Sequence, residues 1–389
     1  GVVSDILKES AASKLFKDLG YNIVGPIDGH DYVSLEKAFN IAKESKESIV
    51  VHIKTVKGKG YKYAEEDARG DWHGVGPFDI ETGEFKIDKN DKTWSDIYSN
   101  ILFKNMMENK NIISIVPATG FGSSLKPIFD CFPERTIDVG IAEEHAVTMA
   151  ASLAISGFRP VISMYSTFLQ RTYDQIIHEV ARQNAGVTFL IDRAGLVGGD
   201  GETHQGIYDE AFLFSIPNTV ITMASSIEEA NELFKESIKH NKPFLIRYPK
   251  EKYLVSEEKT KHSSFGKWKY VLRNENKKVI ITFGPCINEL KTSIVKQSKK
   301  ADLVNALYQN PIDLTMLNDI SKNYDEIIIY NPYATKDGFS KTVIYHLNEM
   351  EHKGKIIDKS LPTTFFPSKD TSKTLNDLRM SINDVLDLI

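Results

Sequence analysis

Val187-Thr188-Phe189-Leu190-Ile191-Asp192-Arg193-Ala194-Gly195-Leu196-Val197-Gly198-Gly199-Asp200-Gly201-Glu202-Thr203-His204-Gln205-Gly206 is the stretch on which the reading of the fold turns. Its first five residues, apolar and rich in β-branched side chains, read as a buried strand. An arginine, several glycines, acids and a histidine follow at once. In open α/β sheets, ligands bind just outside the carboxyl ends of strands. The glycines let the backbone approach a ligand or take positive φ. Arg193, Asp200 and His204 add charge and a titratable group. A loop that only connects has no use for that combination.

Outward from this loop, residues 93–252 alternate strands and helices as parallel α/β units do. Strands are expected at 112–116, 136–139, 161–164, 187–191, 219–222 and 244–246. Helices are expected at 94–108, 144–155, 168–183 and 227–240. Residues 267–389 repeat the alternation, with strands at 279–282, 303–306 and 326–329 and helices near 288–297, 341–347 and 374–388. Residues 1–88 hold one strand–helix–strand unit, too little for a stable sheet alone. The polar stretches 81–92 and 256–264 read as linkers.

With 389 residues the chain has room for roughly two to three domains. Its 41% hydrophobic and 26% charged content is that of an ordinary globular protein. A net charge of −5 gives no reason to expect a nucleic acid or a membrane as partner. Cys131 and Cys286 lack metal-type spacing, so a cytoplasmic location is expected. No apolar run is long enough to span a bilayer.

Four strand ends of the second block each deliver a polar group to one sheet edge: Glu143, Tyr165, Arg193 and Arg247. Each alone has a bland reading as a helix-start acid, a half-buried aromatic or a surface base; four at one edge point to a site. Glu143 opens a helix that is small or apolar nearly all round (Ala146, Val147, Met149, Ala150, Ala151, Leu153), which predicts burial of its first carboxylate. Burial raises a carboxyl pKa and a helix N-terminus lowers it, so its charge state stays open. His145 is a second ligand or a satisfied core histidine. On the next helix, Leu169, Tyr173, Ile176, Ile177 and Val180 form the apolar stripe, and Phe168 and Arg171 point away from it. Phe168 thus suits a ring-stacking platform or a contact with a neighbouring domain. In the first block, Lys57-Gly58-Lys59-Gly60-Tyr61 follows a strand like a phosphate-approaching loop, without Walker A spacing. His73 lies in an irregular segment and is an acid–base candidate. His30, in a tight turn, reads as structural.

Together these residues resemble the 1-deoxy-D-xylulose-5-phosphate synthases, thiamine-diphosphate enzymes of the transketolase superfamily. The matching pieces are Gly25 to Asp31, Lys57 to Tyr61, His73-Gly74-Val75, Ile141 to Ala146, Tyr165 to Arg171, Asp192 to Gly206 and Arg247-Tyr248-Pro249, in family order. The resemblance implies an α/β fold: a thiamine-diphosphate-binding, transketolase-like parallel-sheet domain (93–252) followed by a transketolase C-terminal-like α/β domain (267–389). Residues 1–88 would be the tail of the diphosphate-binding N-terminal domain. It implies decarboxylative condensation of pyruvate with D-glyceraldehyde 3-phosphate, feeding isoprenoid, thiamine and pyridoxal synthesis.

It also implies roles. Glu143 matches the acid that hydrogen-bonds the cofactor's aminopyrimidine and so promotes loss of the thiazolium C2 proton. Phe168 matches the ring stacked on that pyrimidine, with Arg171 and Tyr61 beside the cofactor. Arg193 and Arg247 match a clamp on the substrate phosphate. Tyr165, Asp200, His204 and His73 match residues that line the substrate and handle protons. A homodimer is expected.

The family's Gly-Asp-Gly…Asn motif for the diphosphate and Mg²⁺ does not occur in the chain, so no metal ligand is expected here and turnover by this chain alone is expected to be negligible. Pro117 to Gly122 replaces a more acidic loop, and Tyr330-Asn331-Pro332-Tyr333 replaces a Glu-rich stretch. Two further readings compete: the β subunit of a 2-oxoacid dehydrogenase or split transketolase, and a non-catalytic remnant.

Overall fold

A computed structural model describes residues 11–67, 72–86, 92–253, 264–274 and 276–389. They divide into two compact units, residues 1–88 and 89–389.

In the first unit, β1 (Asn22–Asp28) and β2 (Ile49–Lys54) pair in parallel through the helix Tyr32–Glu44. Asp31 caps that helix by accepting from the Val33 N–H. Val24, Ile27 and Ala38 form its small core. The stretch expected as a linker contributes a turn instead: Asp79 accepts from the Glu81 and Thr82 N–H groups, and Phe78 bridges to Phe85. Residues 87–91 lie outside the described residues.

The second unit holds two sheets. β3 (Ile112–Val116), β4 (Thr136–Asp138), β5 (Arg159–Tyr165), β6 (Thr188–Asp192), β7 (Val220–Thr222) and β8 (Phe244–Arg247) form a parallel sheet. β9 (Lys269–Leu272), β10 (Lys278–Thr282), β11 (Asp302–Asn305), β13 (Glu326–Thr335) and β14 (Lys355–Leu361) form the other, in the order β14-β13-β10-β11-β9. β12 (Tyr308–Asn310), from the third sequence block, leaves that block and adds an antiparallel edge to β7. The larger sheet therefore runs β12-β7-β8-β6-β5-β3-β4. β6 is buried on both faces, which is why it reads as a continuous apolar run rather than an alternating one.

Several expected elements differ. The single helix expected at 374–388 is two, Thr371–Asp377 and Ile382–Leu386, because Ser381 and Asp384 form a capping box that starts a new helix. The helix expected at 168–183 is a succession of short α and 3₁₀ turns ending in a π-helical stretch, Ile176–Ala181. β9, β12, β14 and the helix Leu314–Asn323 were not expected. The expected linker at 256–264 falls, except for Ser264, outside the described residues. Among the described residues no helix is long and apolar enough to cross a membrane.

Candidate functional site

The larger sheet reverses its winding between β3 and β5: the chain goes from β3 to β4 on one side, then crosses to β5 on the other. Crevices at such reversals, beyond the strands' carboxyl ends, are where open sheets bind ligands. The loop after β3, the end of β5 and the loop after β6 meet there. Gly122 lies so close to Tyr165 that a Cβ would sit 1.7 Å from the Tyr165 hydroxyl, and its carbonyl accepts from Arg193 Nη1 at 3.2 Å.

Glu143, first residue of the helix Glu143–Ile155, is 2% exposed. The helix is not buried all round, however: Ala146, Val147, Ala150 and Ala151 face the core, while His145, Thr148 and Ser152 are exposed. His145 is thus neither a core histidine nor part of the cluster. Among the described residues the Glu143 carboxylate has one hydrogen-bond partner, Arg171 Nη1 at 3.0 Å, on Oε2.

From this pair a line of contacts runs across the crevice. The Arg171 guanidinium lies 5.8 Å from the Phe168 ring centroid. Phe168 stacks on Tyr165 at 5.6 Å and meets His204 edge-on at 5.5 Å. The Arg193 guanidinium sits over the Tyr165 ring at 3.7 Å, a cation–π contact. Burial pushes the Tyr165 hydroxyl up to about 12, against the opposing pull of Arg193. Arg193 Nε lies 3.4 Å from Asp200 Oδ2, and Lys250 Nζ is 2.5 Å from Asp200 Oδ1.

Arg193 owes its aim to its backbone and to its neighbour. It takes φ 62°, rare outside glycine. Its Nη1 donates to Asp192 Oδ2 at 2.9 Å, and the Ser95 hydroxyl donates to the same oxygen at 2.8 Å. Burial raises the Asp192 carboxyl, opposed by Arg193 and Ser95. Arg193 Nη2 has no hydrogen-bond partner among the described residues. Gly195 and Gly206 close the loop by exchanging N–H···O bonds of 2.7 and 2.8 Å. A Cβ on Gly206 would lie 1.9 Å from the Arg193 carbonyl oxygen, so only glycine fits there.

Arg247, expected to share a phosphate clamp with Arg193, does not join this line of contacts. It is the last residue of β8 and 0% exposed. Nε and Nη2 donate to the two oxygens of Asp209, each at 2.8 Å, Nη1 donates to Glu210 at 3.0 Å, and Nη2 also donates to the Tyr333 carbonyl at 3.1 Å. Burial works against its charge, and Asp209 and Glu210 more than restore it, holding its pKa above the usual value. Its guanidinium nitrogens are thus all engaged within the fold.

The cation in reach is Lys250, which sequence reasoning missed. The signal was present: Pro249 cannot continue the ladder, so the first base beyond it leaves the sheet edge.

Tyr61 and His73 belong to the first unit. Tyr61 packs among Tyr63, Trp72 and Phe78 and donates its hydroxyl to the Ile80 carbonyl at 3.0 Å. His73 is exposed, with Nδ1 3.1 Å from Lys57 Nζ. In the Lys57–Tyr61 loop the Gly60 N–H is taken by the Glu65 carboxylate at 2.7 Å, so that donor is not free for a phosphate. His30 accepts from the Val56 N–H at 2.8 Å, a structural role. Among the described residues no group of three or more His, Cys, Asp or Glu could hold a metal ion.

Comparison with known proteins adds sequence likeness to this geometry. The family model of the transketolase pyrimidine-binding domain matches residues 90–256, and that of 1-deoxy-D-xylulose-5-phosphate synthase matches residues 2–55. The synthase of Listeria monocytogenes is 40% identical over 98% of this chain and 64% of its own length. That of Bacillus licheniformis is 38% identical over 99% and 62%, and that of Aquifex aeolicus 39% over 90% and 56%. The chain therefore spans less than two thirds of the length of these relatives. Among solved structures, a split-gene transketolase described as an inactive β4 tetramer matches 76% of this chain and 96% of its own, with TM-score 0.65 and 19% identity. A transketolase from Campylobacter jejuni matches 98% of this chain and 69% of its own, with TM-score 0.63 and 14% identity. These two likenesses concern the fold alone.

Proposed function

Because this chain belongs to the 1-deoxy-D-xylulose-5-phosphate synthase family of transketolase-type transferases, we propose that it carries the pyrimidine-binding and substrate-phosphate portions of such an enzyme. The reaction is the decarboxylative joining of pyruvate to D-glyceraldehyde 3-phosphate. One observation carries the reading: the continuous contact line from Glu143 through Arg171, Phe168, Tyr165, Arg193 and Asp200 to Lys250. A carboxylate at one end and two cations at the other suit a cofactor and a phosphorylated aldehyde side by side.

The residues fit the cofactor. Glu143 Oε2 is held by Arg171 while Oε1 has no partner among the described residues, so it can accept from an aminopyrimidine. The part-exposed Phe168 ring offers a stacking face. Thiamine diphosphate supplies a thiazolium electron sink for decarboxylating a 2-oxoacid. Arg193 Nη2 and Lys250 Nζ bind the phosphate, with Asp200 fixing their separation. His204, against the Phe168 ring and 3.0 Å from the Thr203 hydroxyl, exchanges a proton with the aldehyde oxygen. Tyr61 and His73 keep the roles that the resemblance implies. The 93–252 and 267–389 domain assignments stand as part of this proposal, with β12 as the exception that crosses them.

Mg²⁺ and the cofactor diphosphate are assigned to sequence outside this chain, as are their ligands. Cytoplasmic location and a homodimer complete the reading. The inactive state named for the split-gene transketolase β chain is a parallel for a chain that needs another segment.

The test is to purify this chain alone and with the N-terminal segment of a relative, then assay deoxyxylulose phosphate formation with thiamine diphosphate, Mg²⁺, pyruvate and glyceraldehyde phosphate. Product is expected only from the pair, and Glu143→Ala is expected to abolish it. Full turnover by the chain alone, or activity indifferent to Glu143→Ala, would refute the proposal.

A further inference from the structure

On the far side of Lys250 lies a cavity of about 740 Å³. Its wall is made by the start of the helix Trp94–Glu108, residues 250–253 after β8, the first turns of the helix Cys286–Lys296, and the two short helices near the C-terminus. Two carboxylates, Glu251 and Glu289, line it, and neither forms an ion pair among the described residues. Lys250 also lines it, but its charge is engaged by Asp200. Trp94, Tyr253, Tyr330 and Tyr333 supply flat apolar surface. Trp94 is 1% exposed, and its indole N–H has no acceptor among the described residues.

We propose that this cavity binds a small molecule with a protonated amine on a flat apolar body, its ammonium seated between Glu251 and Glu289. Aromatic walls next to carboxylates are a recurrent setting for organic cations. Burial, and secondarily Glu289, push the Glu251 carboxyl up to about 7, the expected result of leaving a half-buried carboxylate without an ion pair among the described residues. The ligand's ammonium supplies that charge. Other titratable or charged groups in the cavity wall are Cys286, whose thiol burial pushes up to about 12, Lys252, Tyr253, and Tyr330 and Tyr333, whose hydroxyls burial pushes well above their usual range. Leu196, from the loop that carries Arg193 and Asp200, forms part of the same wall. Occupancy is therefore felt at Lys250 and at that loop.

The site does not depend on the proposed reaction, so its test is direct binding. Tyramine is titrated calorimetrically into the chain at pH 6, 7 and 8, with 4-hydroxyphenylacetate as the probe of similar body and opposite charge. Saturable one-site binding is expected for tyramine alone. It should be roughly tenfold tighter at pH 8 than at pH 6, following ionisation of a group with pKa near 7. Glu251→Gln should weaken it at least tenfold and flatten the pH dependence. If that variant does not fold, Glu289→Gln carries the decision, with a several-fold loss expected. No saturable heat up to 10 mM, equal binding of the two probes, or affinity unchanged in the glutamine variants would overturn the proposal.

Discussion

Replacing Arg247 by methionine separates two readings of one residue. A phosphate clamp would lose affinity for substrate and little else. A buried strut would lose stability. Arg247 is 0% exposed, and its partners Asp209 and Glu210 are also enclosed, at 1% and 0%. Methionine fills most of the volume but leaves both carboxylates without their cation. Breaking a buried pair in this way costs about 3–5 kcal/mol, because the remaining charge stays desolvated. Asn331 Nδ2 and the Phe339 N–H would still hold Glu210 at 3.1 and 2.8 Å, which argues for the lower end. With a urea m-value of about 3 kcal/mol/M, a loss of about 3 kcal/mol moves the unfolding midpoint down by about 1 M. Urea unfolding followed by tryptophan fluorescence reads this directly. The pH response gives a second check. Burial already raises the Glu210 carboxyl, and Arg247 opposes that rise. Without Arg247 the folded-state pKa climbs further, so folding takes up a proton and the variant loses more stability as pH rises above the unfolded carboxyl range. The deficit should therefore shrink toward pH 5. A midpoint within about 0.3 M of the parent at pH 8 would refute the buried-strut assignment.

Lys250→Ala should do the opposite. Its side chain is 42% exposed, so the midpoint should barely move. In the active assembly the KM for glyceraldehyde phosphate should rise at least tenfold with pyruvate KM unchanged; a KM that stays put removes Lys250 from the clamp. Asp192→Asn should also raise the glyceraldehyde phosphate KM, through loss of the 2.9 Å hold on Arg193, and an unaltered KM would deny Asp192 a positioning role. Gly206→Ala places a methyl 1.9 Å from the Arg193 carbonyl oxygen and should destabilise the loop enough to abolish activity. Wild-type activity in that variant would mean the loop adjusts freely. Glu251, raised from 4.5 to about 7, should cost the fold stability as pH climbs between those values, by ~3 kcal/mol as an upper figure. Urea unfolding of Glu251→Gln should lack that part of the slope between pH 5 and 8, and parallel profiles would contradict it.

Much of this protein is legible in one dimension because some of its constraints are local. The apolar run before Asp192 and the glycines at 195 and 206 each state a nearby requirement: a buried strand and a close backbone approach. Sequence alone therefore placed the parallel sheet and the loop after β6. It also brought Glu143, Tyr165, Phe168, Arg171, Arg193, Asp200 and His204 to a common sheet edge. What it could not supply was depth. Arg247 and Lys250 are both basic, three residues apart; Pro249 marks Lys250 as leaving the sheet, but nothing local says that Arg247 is fully enclosed. That was decided by Asp209 and Glu210, whose carboxylates lie 38 and 37 residues upstream on one short helix. β12 was invisible for the same reason, since a three-residue edge strand exists only because β7 leaves unpaired backbone groups beside it. Periodicity and turn chemistry are written along the chain, while the pairing of buried charges and the completion of sheet edges depend on neighbours that only folding brings within reach.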